Sequence, residues 1–411
     1  MRYALPLALA ALVAACDGPE RTPPPPDGTG TIRIATFNTY LNRAQEGQLL
    51  ADLRADDDSQ IAAVAEIIQR VRPDIILLNE FDYDPSGESL AIFREKWLKT
   101  GHNGADGIDY PYYFSAPSNT GEPSGRDLDR DGKNDGPGDA QGFGVFPGQY
   151  GMALLSRYPI DAENARTFRT LLWKDMPGAL LPDDPRTEAP GDWYDAESLS
   201  ILRLSSKSHW DVPVQIGDRR LHVLAMHPTP PAFDGPEDRN GRRNHDEIRL
   251  MRNYIAGDPD GYIKDDKGVA GGLAAGERFV ILGDLNADPL DGARDPSPIM
   301  MLLDHPLVQA THPESAGGAE QARIQDGINA GHRSPPERDT SDFRDDGENA
   351  VGNLRLDYVL PSRAGFEVVA TGVFWPTSDD PLYRLTGDGY PVISSDHRLV
   401  HVDLQLAGED R

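Results

Sequence analysis

The chain has 411 residues, 38% of them hydrophobic, with 41 glycines, 35 prolines and a formal net charge of −27 from 40 basic and 67 acidic side chains. That length is enough for one large or two ordinary domains with a real core, and the proline and glycine content predicts much loop. The acidic balance excludes a dedicated nucleic-acid binder, which needs a basic footprint, and disfavours a nuclease, although a bound metal can locally invert the repulsion. A single cysteine excludes an intramolecular disulfide.

Met1 to Ala15 is a short apolar segment behind Arg2 that ends Val13-Ala14-Ala15-Cys16. It is too short to span a bilayer as a mature helix and reads as a signal peptide. Val-Ala-Ala-Cys resembles a bacterial lipobox, in which Cys16 is lipidated and becomes the mature N-terminus. The resemblance implies an exported protein of the bacterial cell envelope or surface, held to a membrane through Cys16. Residues 16–31, with Pro23-Pro24-Pro25-Pro26 and a final Gly-Thr-Gly, read as a tether without a core. One domain is expected over 32–406, followed by a tail at 407–411.

Apolar runs predict strands over Ile32–Phe37, Ile75–Asn79, Met152–Leu155, Leu221–Met226, Phe279–Leu282, Leu356–Leu360, Glu367–Phe374 and Leu399–Leu404. Ile61, Val64, Ala65, Ile68 and Val71 recur at helical spacing and stop before Pro73, and Asp246 to Ile255 carries a second helical pattern. Strands and helices without strict alternation predict an α+β fold with sheets packed face to face.

Several of these strands end in polar residues. Ile32–Phe37 ends at Asn38, Ile75–Leu78 at Asn79-Glu80, and Leu221–Met226 at His227. Phe279–Leu282 stops at Gly283 and then presents Asp284 and Asn286. Residues i and i+2 of a strand share a face, so these two side chains converge if the extended backbone continues past Gly283. Asp357 sits inside an apolar strand, and Asp396-His397 precedes another. A carboxylate beside an amide suits metal-assisted hydrolysis, the first binding a metal or activating water and the second orienting water or a phosphoryl oxygen. Each residue alone reads as a turn former; six such strand ends in one chain argue for a common rim.

The ordered series Thr36-Phe37-Asn38, Leu78-Asn79-Glu80, Ser156-Arg157-Tyr158-Pro159-Ile160, Met226-His227-Pro228-Thr229, Gly283-Asp284-Leu285-Asn286, Leu356-Asp357-Tyr358 and Ser395-Asp396-His397 resembles the endonuclease/exonuclease/phosphatase superfamily from Ile32 to Leu406. The superfamily includes deoxyribonucleases, bacterial sphingomyelinases, apurinic endonucleases and inositol-polyphosphate phosphatases. The resemblance implies a four-layer α/β/β/α sandwich of two mainly antiparallel sheets with the catalytic groups at one rim. By the same resemblance, Glu80 is the principal ligand of a Mg²⁺ (or Mn²⁺ or Ca²⁺), with Asn38 beside it and Asp396 in support. Asp284 orients or deprotonates the attacking water, or binds a second metal, and Asn286 holds a phosphate oxygen. His397 contacts the scissile phosphate, Asp357 fixes its tautomer and favours its charged form, and His227 acts as general acid or electrostatic clamp.

Three segments stand outside that pattern. Asp127-Leu128-Asp129-Arg130-Asp131-Gly132-Lys133-Asn134-Asp135 resembles an extracellular Ca²⁺ loop, with Asp127, Asp129, Asp131 and Asp135 as the expected ligands, inserted over 127–139. Its twelfth position is Gly138 instead of a bidentate Glu, and Asp139 follows; a solvated acidic turn is the alternative. Arg239-Asn240-Gly241-Arg242-Arg243-Asn244 is the one dense basic patch and reads as a phosphate-recognition loop through Arg239, Arg242 and Arg243, or as salt bridges to Glu237 and Asp238. Ser205 to Asp211 contains Lys207, His209 and Trp210, which either contact phosphate or pack Trp210 into the core.

The expectation is a monomeric, metal-dependent phosphoesterase acting on a phosphorylated small-molecule or lipid substrate. Its rivals are a secreted nuclease and a non-enzymatic, calcium-stabilised surface module.

Overall fold

The structure is a computed structural model and describes residues 30–294, 296–347 and 350–406. The proposed signal peptide, Cys16, the tether up to residue 29 and the tail 407–411 lie outside the described residues. No helix among the described residues is long and apolar enough to cross a membrane.

The described strands are β1 (Thr31–Leu41), β2 (Ile75–Phe81), β3 (Tyr112–Phe114), β4 (Met152–Ser156), β5 (Arg166–Thr167), β6 (His209–Ile216), β7 (Arg219–Met226), β8 (Phe279–Asp284), β9 (Ser341–Asp342), β10 (Asn353–Leu354), β11 (Asp357–Pro361), β12 (Phe366–Val373) and β13 (Val400–Leu406). The six-stranded sheet runs β12-β13-β1-β2-β4-β3 and the five-stranded sheet β11-β8-β7-β6-β5. Each has one parallel pair, β1 with β2 and β7 with β8; the remaining neighbours are antiparallel.

Strand alternation explains the layering. Ile32, Ile34, Ile75, Leu77, Met152 and Leu154 face Val212, Val214, Leu221, Val223, Val280 and Leu282 in one buried cluster between the sheets. The intervening residues Ala35, Phe37, Ile76, Leu78, Ala153 and Leu155 point the other way, onto the helix Ser59–Val71 and onto Phe93 and Trp97. Leu224, Met226, Phe279, Ile281, Tyr358 and Leu360 do the same on the far side, against Ile248, Leu250, Met251, Tyr254 and Ile255 of the helix Arg239–Ile255. Both sheets are therefore apolar on both faces, which requires a helical layer outside each. Each such buried aliphatic side chain contributes about 1.5–3 kcal/mol of transfer free energy.

The observed ends differ from the expected ones in a few informative places. Thr31 pairs with Gln405 and belongs to β1, so the domain starts one residue earlier than expected. β6 was hidden by its Pro213 and Asp211, which break the apolar pattern. The helix Arg239–Ile255 starts seven residues before Asp246 and absorbs the basic patch, which is therefore not a loop. It begins after Asp238, and Asp234 carboxylate oxygens accept from the Asn240 and Gly241 N–H groups of its first turn.

Candidate active site

One end of the sandwich gathers the polar strand ends. β8 and β11 place Asp284 directly opposite Asp357. β1 and β2 place Asn38 opposite Asn79 in the facing sheet. Asn38 Nδ2 donates across the gap to Asp284 Oδ2 at 3.1 Å, and its Oδ1 accepts from the Tyr40 N–H at 3.2 Å. The loop before β13 brings in His397, whose Nδ1 lies 2.8 Å from Asp357 Oδ2 and whose Nε2 lies 3.6 Å from Asp284 Oδ2. His227, at the end of β7, approaches the same Asp284 oxygen at 3.4 Å through Nε2. Thr340 Oγ1 donates to Asp357 Oδ2, so that oxygen is held from two directions. Ser395 Oγ donates to the Asn38 carbonyl and accepts from the His397 N–H, which ties the last loop to β1.

Gly283 makes the convergence possible. Its φ is 149°, and a Cβ there would sit 1.9 Å from the Met226 carbonyl oxygen. β7 and β8 thus approach closely enough to set His227 beside Asp284 only because no side chain intervenes. The extended backbone does not continue to Asn286, contrary to the i, i+2 expectation. β8 ends at Asp284, Asn286 has φ 50°, and its N–H donates to Asp284 Oδ1 at 3.0 Å in an Asx-type turn. Its Nδ2 donates to the Pro228 carbonyl, linking the segments that follow β7 and β8.

Glu80 reaches the rim through irregular backbone. The β1–β2 register shifts between Asn38 and Leu41, and Tyr40 and Glu80 both have positive φ, 52° and 56°. A bulge re-aims side chains in this way, and non-glycine residues in the left-handed region cost of order 1–3 kcal/mol each. Glu80 Oε2 accepts from Asn42 Nδ2 at 2.7 Å. Asp82, two residues on, has both oxygens occupied by the Arg43 and Tyr150 N–H groups, and burial pushes its carboxyl up to about 7.

The charges sort the roles. Burial opposes ionisation of Asp284, but His397, His227 and Asn38 outweigh it and hold the carboxyl below the ordinary range. Burial also opposes the His397 cation, yet Asp357 and Asp284 raise its pKa well above that of a free imidazole. His227 goes the other way: burial and then the nearby Lys207 lower it, so it is neutral at pH 7. Burial raises Asp357 and Asp396 to about 6 each, with His397 opposing in both cases. Asp396 Oδ1 and Asp357 Oδ1 are buried without a hydrogen-bond partner.

Two further residues contribute: Lys207, from the segment weighed above as a phosphate contact, and Glu247, which the sequence did not single out. Lys207 is only 7% exposed, its ammonium has no hydrogen-bond partner among the described residues, and its electrostatic partners are Glu247, Glu80 and Asp284. Glu247 is fully buried on the helix Arg239–Ile255 and accepts from the Ser206 N–H at 2.6 Å, the Ser206 hydroxyl at 3.0 Å and the Thr229 N–H at 2.6 Å. It therefore fixes the segment carrying Lys207 against the one that follows His227. A lone acid in an amphipathic helix gives no sequence signal for this. The neighbours of Lys207 are structural: Trp210 packs between the sheets, edge-on to Phe114, and His209 bonds Ser205 Oγ and the Glu247 carbonyl.

The basic patch is not assembled into the site. Arg242 donates to the Leu181 carbonyl, and Arg243 to the Leu204, Gln141 and Arg203 carbonyls, while Arg239 lies 3.7 Å from Glu237. Backbone oxygens occupy two of the three guanidinium groups that were expected to meet phosphate. The acidic loop clusters other carboxylates than the expected ones: oxygens of Asp127, Asp129 and Asp139 lie within 4.8 Å of one another, whereas Asp131 and Asp135 are not in that group. Asp139 replaces them because the 3-10 turn Pro137–Asp139 folds back over the loop, with its carboxylate accepting from the Leu128 and Gly136 N–H groups. The loop packs through Arg130 on Asp184 and over the Trp193 ring.

The Endonuclease/Exonuclease/phosphatase family model matches residues 35–397. The chain belongs to this family. Among solved structures, the family protein from Beutenbergia cavernae DSM 12333 is 19% identical, with 92% of this chain and 72% of that chain covered and a TM-score of 0.48. The family protein from Leptotrichia buccalis C-1013-b is 14% identical, covering 91% of this chain and 99% of that one at a TM-score of 0.47. The human Nocturnin catalytic domain with bound sulfate anion is 15% identical over 92% of this chain and 94% of that chain, at a TM-score of 0.42. No curated protein sequence matches significantly. Family membership makes the chain a hydrolase of phosphate esters by class, in a family that generally depends on divalent metals.

Proposed function

We propose that the protein is a metal-dependent phosphoesterase that cleaves small or lipid-linked phosphate esters by attack of water. The observation that carries this reading is Asp284, ionised and held between Asn38, His227 and His397, with Asp357 behind the last of these. An ionised carboxylate with this low proton affinity orients a water better than it deprotonates one. The His397 imidazolium presents positive charge where the phosphoryl oxygens gain negative charge, and Asp357 keeps it charged and correctly turned. Neutral His227 turns Nε2 to the ionised Asp284, so that nitrogen carries the hydrogen and can donate to a water or phosphate oxygen there. Asn286, whose Nδ2 also serves Pro228, has one amide hydrogen left for a phosphate oxygen.

Glu80 and Asp396, with Asn38 beside them, supply hard oxygen donors. The buried, unpartnered Asp396 Oδ1 fits a divalent cation, since an orphaned carboxylate oxygen near a second acid needs a counter-charge. Mg²⁺, Mn²⁺ or Ca²⁺ there would neutralise the phosphate and stabilise the leaving oxygen. The charge of −27 weighs against a long polyanionic substrate. Lipidation at Cys16, export, a monomeric state and Ca²⁺ uptake by the acidic loop belong to the same reading. For the loop, Asp127, Asp129 and Asp139 are the ligands, and calorimetric uptake unchanged in Asp129→Ala/Asp139→Ala would remove it.

The deciding experiment compares chromogenic phosphate monoesters and diesters, and DNA, after chelation and after return of each metal. Metal-dependent turnover of a monoester or lipid-type diester supports the reading. Turnover of DNA alone, falling steeply with salt, would make the protein a nuclease, and no hydrolysis with any metal would end the enzymatic assignment.

A further inference from the structure

The mouth of the site carries a set of groups that the hydrolytic machinery does not use. Phe343 stands edge-on to the His397 ring, with centroids 5.4 Å apart. The next residue, Arg344, is exposed, and its guanidinium lies 5.8 Å from the centre of the Tyr390 ring. No carboxylate pairs with Arg344 among the described residues. The buried Arg398 is committed elsewhere, to Asp342.

Tyr390 is 49% exposed and Tyr40 is 39% exposed, and neither hydroxyl has a hydrogen-bond partner among the described residues. Gln60 Nε2 donates to both the Tyr40 and the Ser394 carbonyls, which fixes Tyr40 against the segment carrying Asp396. Asp396 is an electrostatic neighbour of both phenols and Tyr40 of Tyr390, so the two rings lie near that carboxylate and near each other. An unpaired arginine is ordinary on a protein surface. Arg344 differs in its place, one residue from the ring that packs on His397 and stacked on a tyrosine that borders Asp396.

We propose that Tyr40, Tyr390 and Arg344 form a leaving-group subsite for phosphoesters that carry a second anionic group on a compact, ring-shaped body. Half-exposed aromatic faces contact such a body at little entropic cost, and a guanidinium pairs with a phosphate or carboxylate in two-pronged geometry. On a surface this acidic, one local cation at the mouth discriminates sharply between substrates with and without that second charge. The inference rests on the phosphoesterase reading.

The test compares two substrates, 4-nitrophenyl phosphate and a nitrophenyl phosphate bearing a ring carboxylate, and two non-hydrolysable ligands, phenylphosphonate and 4-phosphonobenzoate, titrated calorimetrically with Mg²⁺ present. Wild-type protein is expected to prefer the carboxylated member of each pair by about tenfold, the value of one charge-assisted hydrogen-bonded contact. Arg344→Ala is expected to collapse both preferences, Arg344→Lys to retain part of them, and Tyr390→Ala to weaken binding of both ring ligands. A preference that survives in Arg344→Ala, or is absent from the wild type, overturns the subsite. Failure of the underlying reading looks different: no turnover of either ester, whatever the phosphonates do.

Discussion

His397 and Asp284 lie 3.6 Å apart, Nε2 to Oδ2, yet they come from different sheets and are 113 residues apart in the chain (397 − 284). Each changes the other's charge state, the carboxylate raising the imidazole and the imidazolium lowering the carboxyl. Substituting either, Asp284→Ala or His397→Ala, is expected to reduce turnover by about 10²–10⁴-fold with the far-ultraviolet circular dichroism unchanged. Near wild-type turnover in either variant would refute the assignment.

The Asp357–His397 pair sets the alkaline side of the pH profile. The folded pKa of His397 lies above that of the unfolded chain, so the stability contributed by its protonation is lost as pH rises through the folded value, while on the acid side the pair weakens as the Asp357 carboxyl, raised to about 6, takes up a proton. Activity that needs the imidazolium fades over the same upper range. Asp357→Asn removes the charge that raises His397, and the alkaline limb of kcat/KM is expected to move to lower pH. A limb that stays in place would show that another group titrates there.

Gly283→Ala is expected to destabilise the protein. Its backbone conformation alone costs about 1–3 kcal/mol for a residue with a side chain, and the added methyl meets the Met226 carbonyl besides. Urea denaturation reads the loss as a lower midpoint. An unchanged midpoint would mean that β7 and β8 separate freely at this point.

Glu247→Gln offers a donor where Ser206 or Thr229 already donates. An unsatisfied buried group costs about 1–3 kcal/mol, and Lys207 loses a counter-charge at the same time. Lower stability together with a fall in kcat larger than the change in KM is expected. Reduced stability with unaltered kinetics would make Glu247 a purely structural tie.

Lys207→Met keeps the buried stem and removes the ammonium. Because that group has no hydrogen-bond partner among the described residues, its removal is expected to cost little stability and to weaken binding of phosphate-bearing substrates or inorganic phosphate. Equal phosphate inhibition in wild type and variant would take Lys207 out of the site.

The strands were legible because Ile75 to Leu78 and Phe279 to Leu282 are uninterrupted apolar runs, and the family resemblance supplied the outer helical layers that such double-sided sheets require. The ordered polar strand ends located the rim for the same reason, since each interrupts such a run. What escaped was set by contacts between distant segments. Asn286 turns away because Asp284 captures its N–H. The basic patch turns inward because carbonyls from three separate segments receive Arg242 and Arg243. Asp139 displaces Asp131 and Asp135 because a turn outside the repeating pattern folds back. The partners of Arg242 and Arg243 are far away in sequence, so spacing could not reveal them, and the Asp284–Asn286 turn is local but competes with the extended backbone that the apolar run suggests.

The Asn38–Asp284 hydrogen bond has a further consequence. Asn38, Glu80, Asp396 and His397 arrive from the six-stranded sheet, and His227, Asp284 and Asp357 from the five-stranded one. Neither half has a working site of its own. Catalytic competence is thus a gauge of how the halves are docked: a slip of one strand position along their shared apolar face would leave both sheets folded and part Asn38 from Asp284. A chain with both sheets formed is thus competent only when the two are aligned to bring Asn38 onto Asp284.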